Sequence, residues 1–393
     1  MANRKTLPKI LPNEILFNIF TRLPVKSCLR CKSLSKYWKE LIASPEFIHQ
    51  HLHHAKASTR IILSTPLHQR VQLRSLISIS TACYPKYSRS YRVSMPRDVY
   101  IVGSCNGLLC LSDYANFVII CNPVTAHHIE DSFGDLDDYD HRWLDLGFGH
   151  DPRNDEYKVV RIIYGHKSVG YFDNAKFDVY SSITRGWRRI SGPSSYCLSF
   201  NCGNTYVNGA LHWYKLIDRS DRTTSAKVDS IMAFNVGTEE FVDIPPNKPV
   251  FKEDPSRAYL TVFEECLCSC YLFCKTCILD IWAMKEYGVK KSWTMLYSIQ
   301  FPPGLKPRGD FLRIEPLVVY ENGEMVLKVV DSKGDFVRTE PLVTESRGSV
   351  STYSYDLTDK SVGKFYCESK FQWENVVSYV ESLVSLPGAL QLH

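Results

Sequence analysis

From about Ile61 onward the chain repeats one local pattern: a run of β-branched and aromatic residues, a polar turn, and a second such run. The pattern appears at Ile119-Ile120-Cys121-Asn122-Pro123-Val124-Thr125, again from Phe177 through Ser182 to Arg188, and from Met232 to Phe241. It returns at Asp280 to Gly288 with Lys291-Ser292-Trp293, and at Tyr355-Asp356-Leu357-Thr358. Through the middle of the chain the copies lie roughly 45–60 residues apart, the spacing of a propeller blade. Between them fall second hairpin signals at Ser104 to Cys110, Tyr206 to Trp213 and Tyr320 to Met325. Each of these contains Asn-Gly, which suits a tight turn because both central residues need positive φ. Asp151-Pro152-Arg153-Asn154-Asp155 is a further turn, with aspartate first and proline second. Two hairpins per repeat make a four-stranded blade, so this part predicts an all-β propeller of about five or six blades.

The N-terminal stretch has a different period. Pro12 suits the first position of a helix, and Ile15, Leu16 and Ile19, extended by Phe20 and Leu23, follow at helical spacing. Pro24 ends that helix and opens a second from Val25 to about Arg30, which carries Leu29. A third is predicted near Ser33 to Ile42, with Leu34, Trp38, Leu41 and Ile42 on one stripe. Ser44-Pro45-Glu46 then starts a helix from Phe47 to His54, with a serine cap, a proline at the first position and an acid in the first turn. So small a unit has a poor ratio of core to surface. Part of its apolar surface is therefore expected to meet a partner.

These residues resemble the F-box. The resemblance rests on Leu11-Pro12, Ile15, Leu16 and Ile19, Leu23-Pro24-Val25-Lys26-Ser27, Leu29-Arg30, Lys36-Tyr37-Trp38 and Leu41-Ile42; the Leu-Pro-Val-Lys-Ser run and Ser44-Pro45-Glu46-Phe47 look like the plant form. The later residues resemble the plant F-box-associated domain. They are Asn106-Gly107-Leu108, Asn122-Pro123-Val124-Thr125, Gly147 to Pro152, Tyr157-Lys158-Val159-Val160-Arg161, Trp213, Asp280 to Val289 and Ser292-Trp293. Together the two resemblances span almost the whole chain. The implied fold is a multidomain α plus all-β protein, with a small three-helix F-box at 1–55 and a kelch-like, β-propeller-like F-box-associated domain at 56–393.

The resemblance, of the kind seen in the CPR and S-locus F-box groups, implies a substrate receptor. Family F-boxes dock a Skp1-type adaptor and through it a cullin, while the β domain holds a protein to be ubiquitinated. Carried over to this chain, the adaptor contacts are Leu11, Pro12, Ile15, Leu16, Ile19, Leu23, Pro24, Val25, Leu29 and Trp38. Leu41 and Ile42 are expected to hold the helices together. Cys31, Ser33 and Leu34 depart from the plant pattern and are expected to pack internally. Family members serve in immune-receptor turnover and in pollen–pistil recognition, and nothing in the residues chooses between these. The rival readings are an interaction scaffold that supports no ubiquitin transfer, and a propeller enzyme.

Charge agrees with a protein partner. The net charge is +5, yet residues 1–60 hold 11 Lys/Arg against 3 Asp/Glu, and the remainder is slightly acidic. Basic residues interleaved with an apolar stripe suit steering toward an acidic protein, such as a Skp1-type adaptor. No nucleic-acid recognition motif accompanies them. The apolar run after Lys9 is broken by Asn13, Glu14 and Asn18, unlike a signal peptide, and no stretch reaches the roughly 20 apolar residues that span a bilayer. A location in the cytoplasm, the nucleus or both is expected, with no membrane or nucleic-acid partner.

Three constellations carry competing chemistry. Cys266, Cys268, Cys270, Cys274 and Cys277 could ligate zinc, but a second CxxC pair is missing. In a strand the first three share one face and suit a blade core. His49, His51, His53 and His54 suggest either a chelating pair or a solvated helix end, the latter being favoured. Gly147-Phe148-Gly149 reads as a β-turn and not a phosphate loop. No metal, cofactor or catalytic residue is expected.

Overall fold

The computed structural model describes residues 12–56, 59–67, 70–80, 83–93, 99–113, 116–134, 143–164, 175–193, 197–198, 205–216, 228–247, 249–251, 254–301, 312–320, 323–331, 338–339, 342–343, 349–364, 375–388 and 390–391. It opens with α1 (Asn13–Phe20), α2 (Val25–Cys31), α3 (Lys36–Ala43) and α4 (Pro45–Ala55). Strands follow.

The strands form six antiparallel sheets of four or five strands, besides the two-stranded pair Arg338–Thr339 and Leu342–Val343. Five sheets are built in chain order. Blade I contains Tyr100–Cys105, Leu108–Ser112, Phe117–Asn122 and His127–Ser132; blade II contains Trp143–Asp151, Glu156–Tyr164, Lys176–Ser181 and Gly186–Ile190. Blade III contains Tyr206–Val207, Ala210–Leu216, Val228–Asn235 and Phe241–Ile244, with Cys197–Leu198 also on Ala210–Leu216. Blade IV contains Arg257–Phe263, Cys266–Phe273, Ile278–Met284 and Trp293–Gln300; blade V contains Leu312–Val319, Glu324–Asp331, Ser349–Asp356 and Val362–Lys364. The sixth sheet, blade VI, joins the two ends of the propeller: Asn375–Tyr379 pairs with Arg60–Leu67, which leads to Arg70–Ser80 and Cys83–Val93. The inner strand of blade I lies beside those of blades II and VI, and the inner strand of blade V beside those of blades IV and VI. The ring is closed.

The hairpins foreseen in the sequence occupy one register. Every unit of the main repeat is a turn from the third to the fourth strand, and Asn106-Gly107 and Asn208-Gly209 join the first to the second; Asn322 of the third Asn-Gly signal lies outside the described residues. Asn106 and Gly107 have φ of 50° and 80°, and Asn208 and Gly209 have 51° and 75°. At the main turns a side chain at the end of the third strand accepts backbone N–H groups two and three residues on: Asn122, Ser181, Asn235 and Asp356. Four residues after each comes a left-handed residue: Ala126, Arg185, Glu239 and Lys360. In blade IV the corresponding pair is Met284 and Gly288.

The core lies between neighbouring blades, so inner strands are buried on both faces. All residues of Leu108–Ser112, Phe117–Asn122 and Glu156–Tyr164 are buried, whereas the outer strand Gly186–Ile190 is not. Gly147 and Gly149 do not form the expected turn. They lie within strand Trp143–Asp151, where an added Cβ would stand 2.8 Å from Leu211 and 2.6 Å from Tyr206. Their missing side chains let blade III approach.

Candidate functional site

The helical unit has a small core. Val25, Cys28, Ile42 and Phe47 are buried in it, flanked by Phe17, Phe20, Leu23, Leu29, Cys31, Trp38, Leu41 and Ile48. α1 contributes no fully buried residue. It is held by aromatic contacts, Phe17 edge-on to Phe47 at 5.4 Å and Phe20 stacked on Trp38 at 4.4 Å. Pro12 and Pro24 sit at the cap positions of α1 and α2, one residue earlier than the first helical position. Their carbonyls accept from the first turns. α3 begins at Lys36, not near Ser33, because the Ser35 hydroxyl accepts from the Trp38 N–H and sets the start there. Ser44 caps α4 as expected, accepting from Phe47, with Pro45 next.

Core and surface positions separate clearly. Ile15 and Ile19, four apart on α1, are 46% and 44% exposed, and Leu34 and Tyr37 are 70% and 48% exposed. Leu16, Phe20, Leu23, Leu29 and Trp38 are half-buried, and Pro12 and Pro24 are exposed. Val25 is only 1% exposed. It was expected at the adaptor surface, but the first turn of α2 faces inward and makes it core. Ser33 and Leu34 do not pack inside as expected: both are exposed in the turn before α3, while Cys31 is half-buried against the core. Leu11 lies outside the described residues. The same helical unit exposes Arg22, Lys26, Arg30, Lys36 and Lys39.

His51 is not part of a solvated helix end, unlike exposed His49 and His53. It is 3% exposed, and its Nε2–H donates to the Leu23 carbonyl at 2.9 Å. Burial holds its pKa below the ordinary histidine value, so it is neutral near pH 7. The Cys28 thiol donates toward the Phe20 carbonyl at 3.4 Å, and burial pushes its pKa up to about 11. These two groups fix the turn between α1 and α2 from within.

In the propeller the tempting cysteines belong to packing. Cys268, Cys270 and Cys277 lie in the core between blades IV and V with Cys266 packed against it, while Leu267, between Cys266 and Cys268, faces the core of blades II to IV. Burial raises the Cys268 thiol to about 12 and Cys270 well above its usual value. Among the described residues no three His, Cys, Asp or Glu side chains gather as a metal site. No described helix is long and apolar enough to cross a membrane.

Charges inside the ring join blades. The Lys158 ammonium reaches Asp151 at 3.2 Å, Glu239 at 2.9 Å and the Val236 carbonyl at 3.0 Å, so a residue of blade II holds the main turn of blade III. Arg161 donates to Asp178 at 2.7 and 3.1 Å and lies 4.4 Å from the Trp187 ring. These are the Lys158 and Arg161 of the quoted Tyr157 to Arg161 run, and each is fully occupied in tying strands together. The sequence also offers the loop-rich segments Ser88 to Arg97, Gly134 to Arg142, Ile217 to Lys227 and Asn247 to Arg257 as target contacts; residues 94–97, 135–142, 217–227, 248 and 252–253 of these lie outside the described residues.

A four-helix unit followed by a closed ring of blades defines a class: a small helical module carried on a propeller. The chain matches the F-box domain over residues 9–50 and the F-box associated beta propeller domain over residues 66–386, and it belongs to the F-box proteins that bear this propeller. It is 30% identical over 342 residues to F-box protein CPR1 of Arabidopsis thaliana, covering 81% of this chain and 79% of that one. It is also 30% identical over 325 residues to F-box/kelch-repeat protein At3g23880 of Arabidopsis thaliana, covering 78% and 82%. Among solved structures, the six-bladed fungal lectin of Aleuria aurantia aligns with 80% of this chain and 98% of its own, at a TM-score of 0.39 and 8% identity.

Proposed function

We propose that this chain is the substrate-recognition subunit of a Skp1–cullin–F-box ubiquitin ligase, with the helices docking a Skp1-type adaptor and the propeller holding the target protein. One observation carries the reading: Ile15 and Ile19 of α1, Leu34 of the turn before α3 and Tyr37 of α3 stay exposed on a unit otherwise organised around a buried core. Each isoleucine buried by a partner contributes about 1.5–3 kcal/mol, so two or three anchors supply most of the affinity. The exposed lysines and arginines of the unit steer an acidic adaptor. Catalysis is by proximity. Holding a target lysine beside a ubiquitin-charged enzyme raises its effective concentration, and the chain supplies no acid, base or nucleophile. It works in the cytoplasm or nucleus, where the ligase works.

The test is calorimetric titration with a purified plant Skp1-type adaptor, comparing the full chain with Ile15→Ala/Ile19→Ala. Binding that is lost in a variant with unchanged circular dichroism supports the proposal. A well-folded wild type that does not bind overturns it. Adaptor binding without ubiquitin transfer to a captured partner, in a reconstituted reaction, replaces the ligase reading with the scaffold.

A further inference from the structure

The core of the helical unit contains a fifth buried residue that does not come from the helices. Leu383, from the far end of the chain and only 2% exposed, packs with Val25, Cys28, Ile42 and Phe47. Val124, in the main turn of blade I, joins the same cluster. A unit of this size cannot easily close a core alone, and here its last wall is supplied by the propeller.

The segment that presents Leu383 is tied down along its length. It leaves Asn375–Tyr379, the strand that closes the ring against Arg60–Leu67, so the exit from the helices and the end of the propeller are adjacent. Glu381 and Ser382 are buried. The Asn122 amide donates to the carbonyls of Ser382 and Val384 at 3.0 and 2.8 Å. Gly107 passes so close that a Cβ there would stand 2.2 Å from the Ser382 hydroxyl. Beyond it, Leu386 enters the core between blades I and II, and Leu390–Gln391 pairs with the outer strand of blade I.

We propose that residues 380–386 form a strap that completes the adaptor-docking module, with Leu383 as its positioning residue. The strap makes the helices and blade I one body. Adaptor affinity then depends on a residue far outside the motif that binds the adaptor. The adaptor also stands at a fixed orientation to the target held by the propeller, which is what proximity catalysis needs. This rests on the receptor reading for its functional consequence, but its structural content can be tested without any adaptor.

The experiment uses the full chain and Leu383→Ala, with Leu383→Met as the conservative control, and reads amide hydrogen exchange by mass spectrometry. Exchange in Val25–Cys31, Lys36–Ala43 and Pro45–Ala55 should quicken at least tenfold in Leu383→Ala. Blades III to V should stay unchanged, and Leu383→Met should return most of the protection. Calorimetry with the plant Skp1-type adaptor should show about tenfold weaker binding for Leu383→Ala. Unchanged exchange in the helices overturns the strap, whatever the adaptor does. If wild type fails to bind the adaptor while the exchange pattern appears as described, the receptor reading falls and the strap stands. If binding is unaltered although the helices are loosened, the positioning role is overturned.

Discussion

The side-chain amide of Asn122 donates to the carbonyl of Ser382 at 3.0 Å, joining the third strand of blade I to a residue 260 positions further along the chain. The other oxygen-bearing side of the same carboxamide accepts from the N–H groups of Val124 and Thr125. One side chain therefore shapes a hairpin and grips the C-terminal segment. Blade V separates the two roles, since Asp356, which has no donor, makes the same turn.

Asn122→Asp should keep the hairpin and lose the grip. Its carboxylate would face the Ser382 and Val384 carbonyls, which lose their donors in a buried place. Each buried acceptor left unsatisfied costs about 1–3 kcal/mol. Urea unfolding should show a loss of about 2–4 kcal/mol. The reciprocal Asp356→Asn, which preserves the accepting oxygen, should stay within about 0.5 kcal/mol of wild type. Equal losses in the two variants would assign the effect to the turn and not to the grip.

Two glycines with the same backbone test the close approach at the strap. Gly107 has φ +80° and Ser382 against it, while Gly209 has φ +75° and nothing within 4 Å. Alanine at either site carries the strain of the left-handed region, about 1 kcal/mol. At Gly107 the collision with Ser382 adds to it, and displacing the strap raises the cost further. Thermal denaturation should place Gly107→Ala well below Gly209→Ala. Equal melting temperatures would mean that Ser382 moves aside freely.

Much of this architecture was legible because turns are local. The Asn-Gly pairs at Asn106 and Asn208 and the recurring main hairpin depend on residues within a few positions, so each fell in the correct phase of its blade. The cap serines and prolines of the helices were readable for the same reason, to within a residue or two. What the sequence hid was set by distance. Gly147 and Gly149 look like turn residues because their real partners, Leu211 and Tyr206, are supplied by another blade. Val25 reads as a docking residue by motif, and only the packing of α2 against Ile42, Phe47 and Leu383 makes it core. Leu383 itself lies in a short apolar stretch with no period of its own. The Asx or serine at the end of the third strand was a readable signal at four of the five main turns, at Asn122, Ser181, Asn235 and Asp356, whereas the left-handed residue four positions later is Ala126, Arg185, Glu239 or Lys360 and carries no glycine to announce it.

Two buried titratable groups at the joints of blade III predict opposite responses to pH. His212 Nδ1–H donates to the Thr205 carbonyl at 2.8 Å and Nε2 accepts from the Tyr287 hydroxyl at 2.7 Å. Burial lowers its pKa from 6.5 to about 4. The unfolded chain then binds the extra proton first, so this contribution is complete above the ordinary histidine pKa and is lost as pH falls toward the folded one. Asp145 accepts from the Trp213 Nε1–H at 2.9 Å, and desolvation raises its pKa from 3.8 to about 6. Here the folded chain holds the proton, so stability rises as pH falls through that interval. Each is on the order of 3 kcal/mol across its window. Melting temperatures read between these values should slope oppositely relative to wild type: His212→Asn gains stability on acidification and Asp145→Asn loses it. Parallel slopes in all three proteins would show that neither group titrates differently on folding.

Contact and core can be separated in the docking helices by two variants. Ile15 and Ile19 are nearly half exposed, so truncating them removes little from the folded chain. Ile15→Ala/Ile19→Ala should change unfolding free energy by less than about 1 kcal/mol. Its adaptor affinity should fall by about 3 kcal/mol, because both side chains lose the surface a partner would bury. Val25→Ala should behave in reverse at first sight. It leaves a cavity beside Phe47 and Leu383 and costs stability of about 1–3 kcal/mol, and affinity drops only as far as the helices loosen. Plotting binding loss against stability loss for the two variants therefore puts them on different axes. If Val25→Ala weakens binding as much as the isoleucine pair while leaving the melting temperature alone, then α2 turns outward when the adaptor docks, and the closed core seen here is the unbound arrangement.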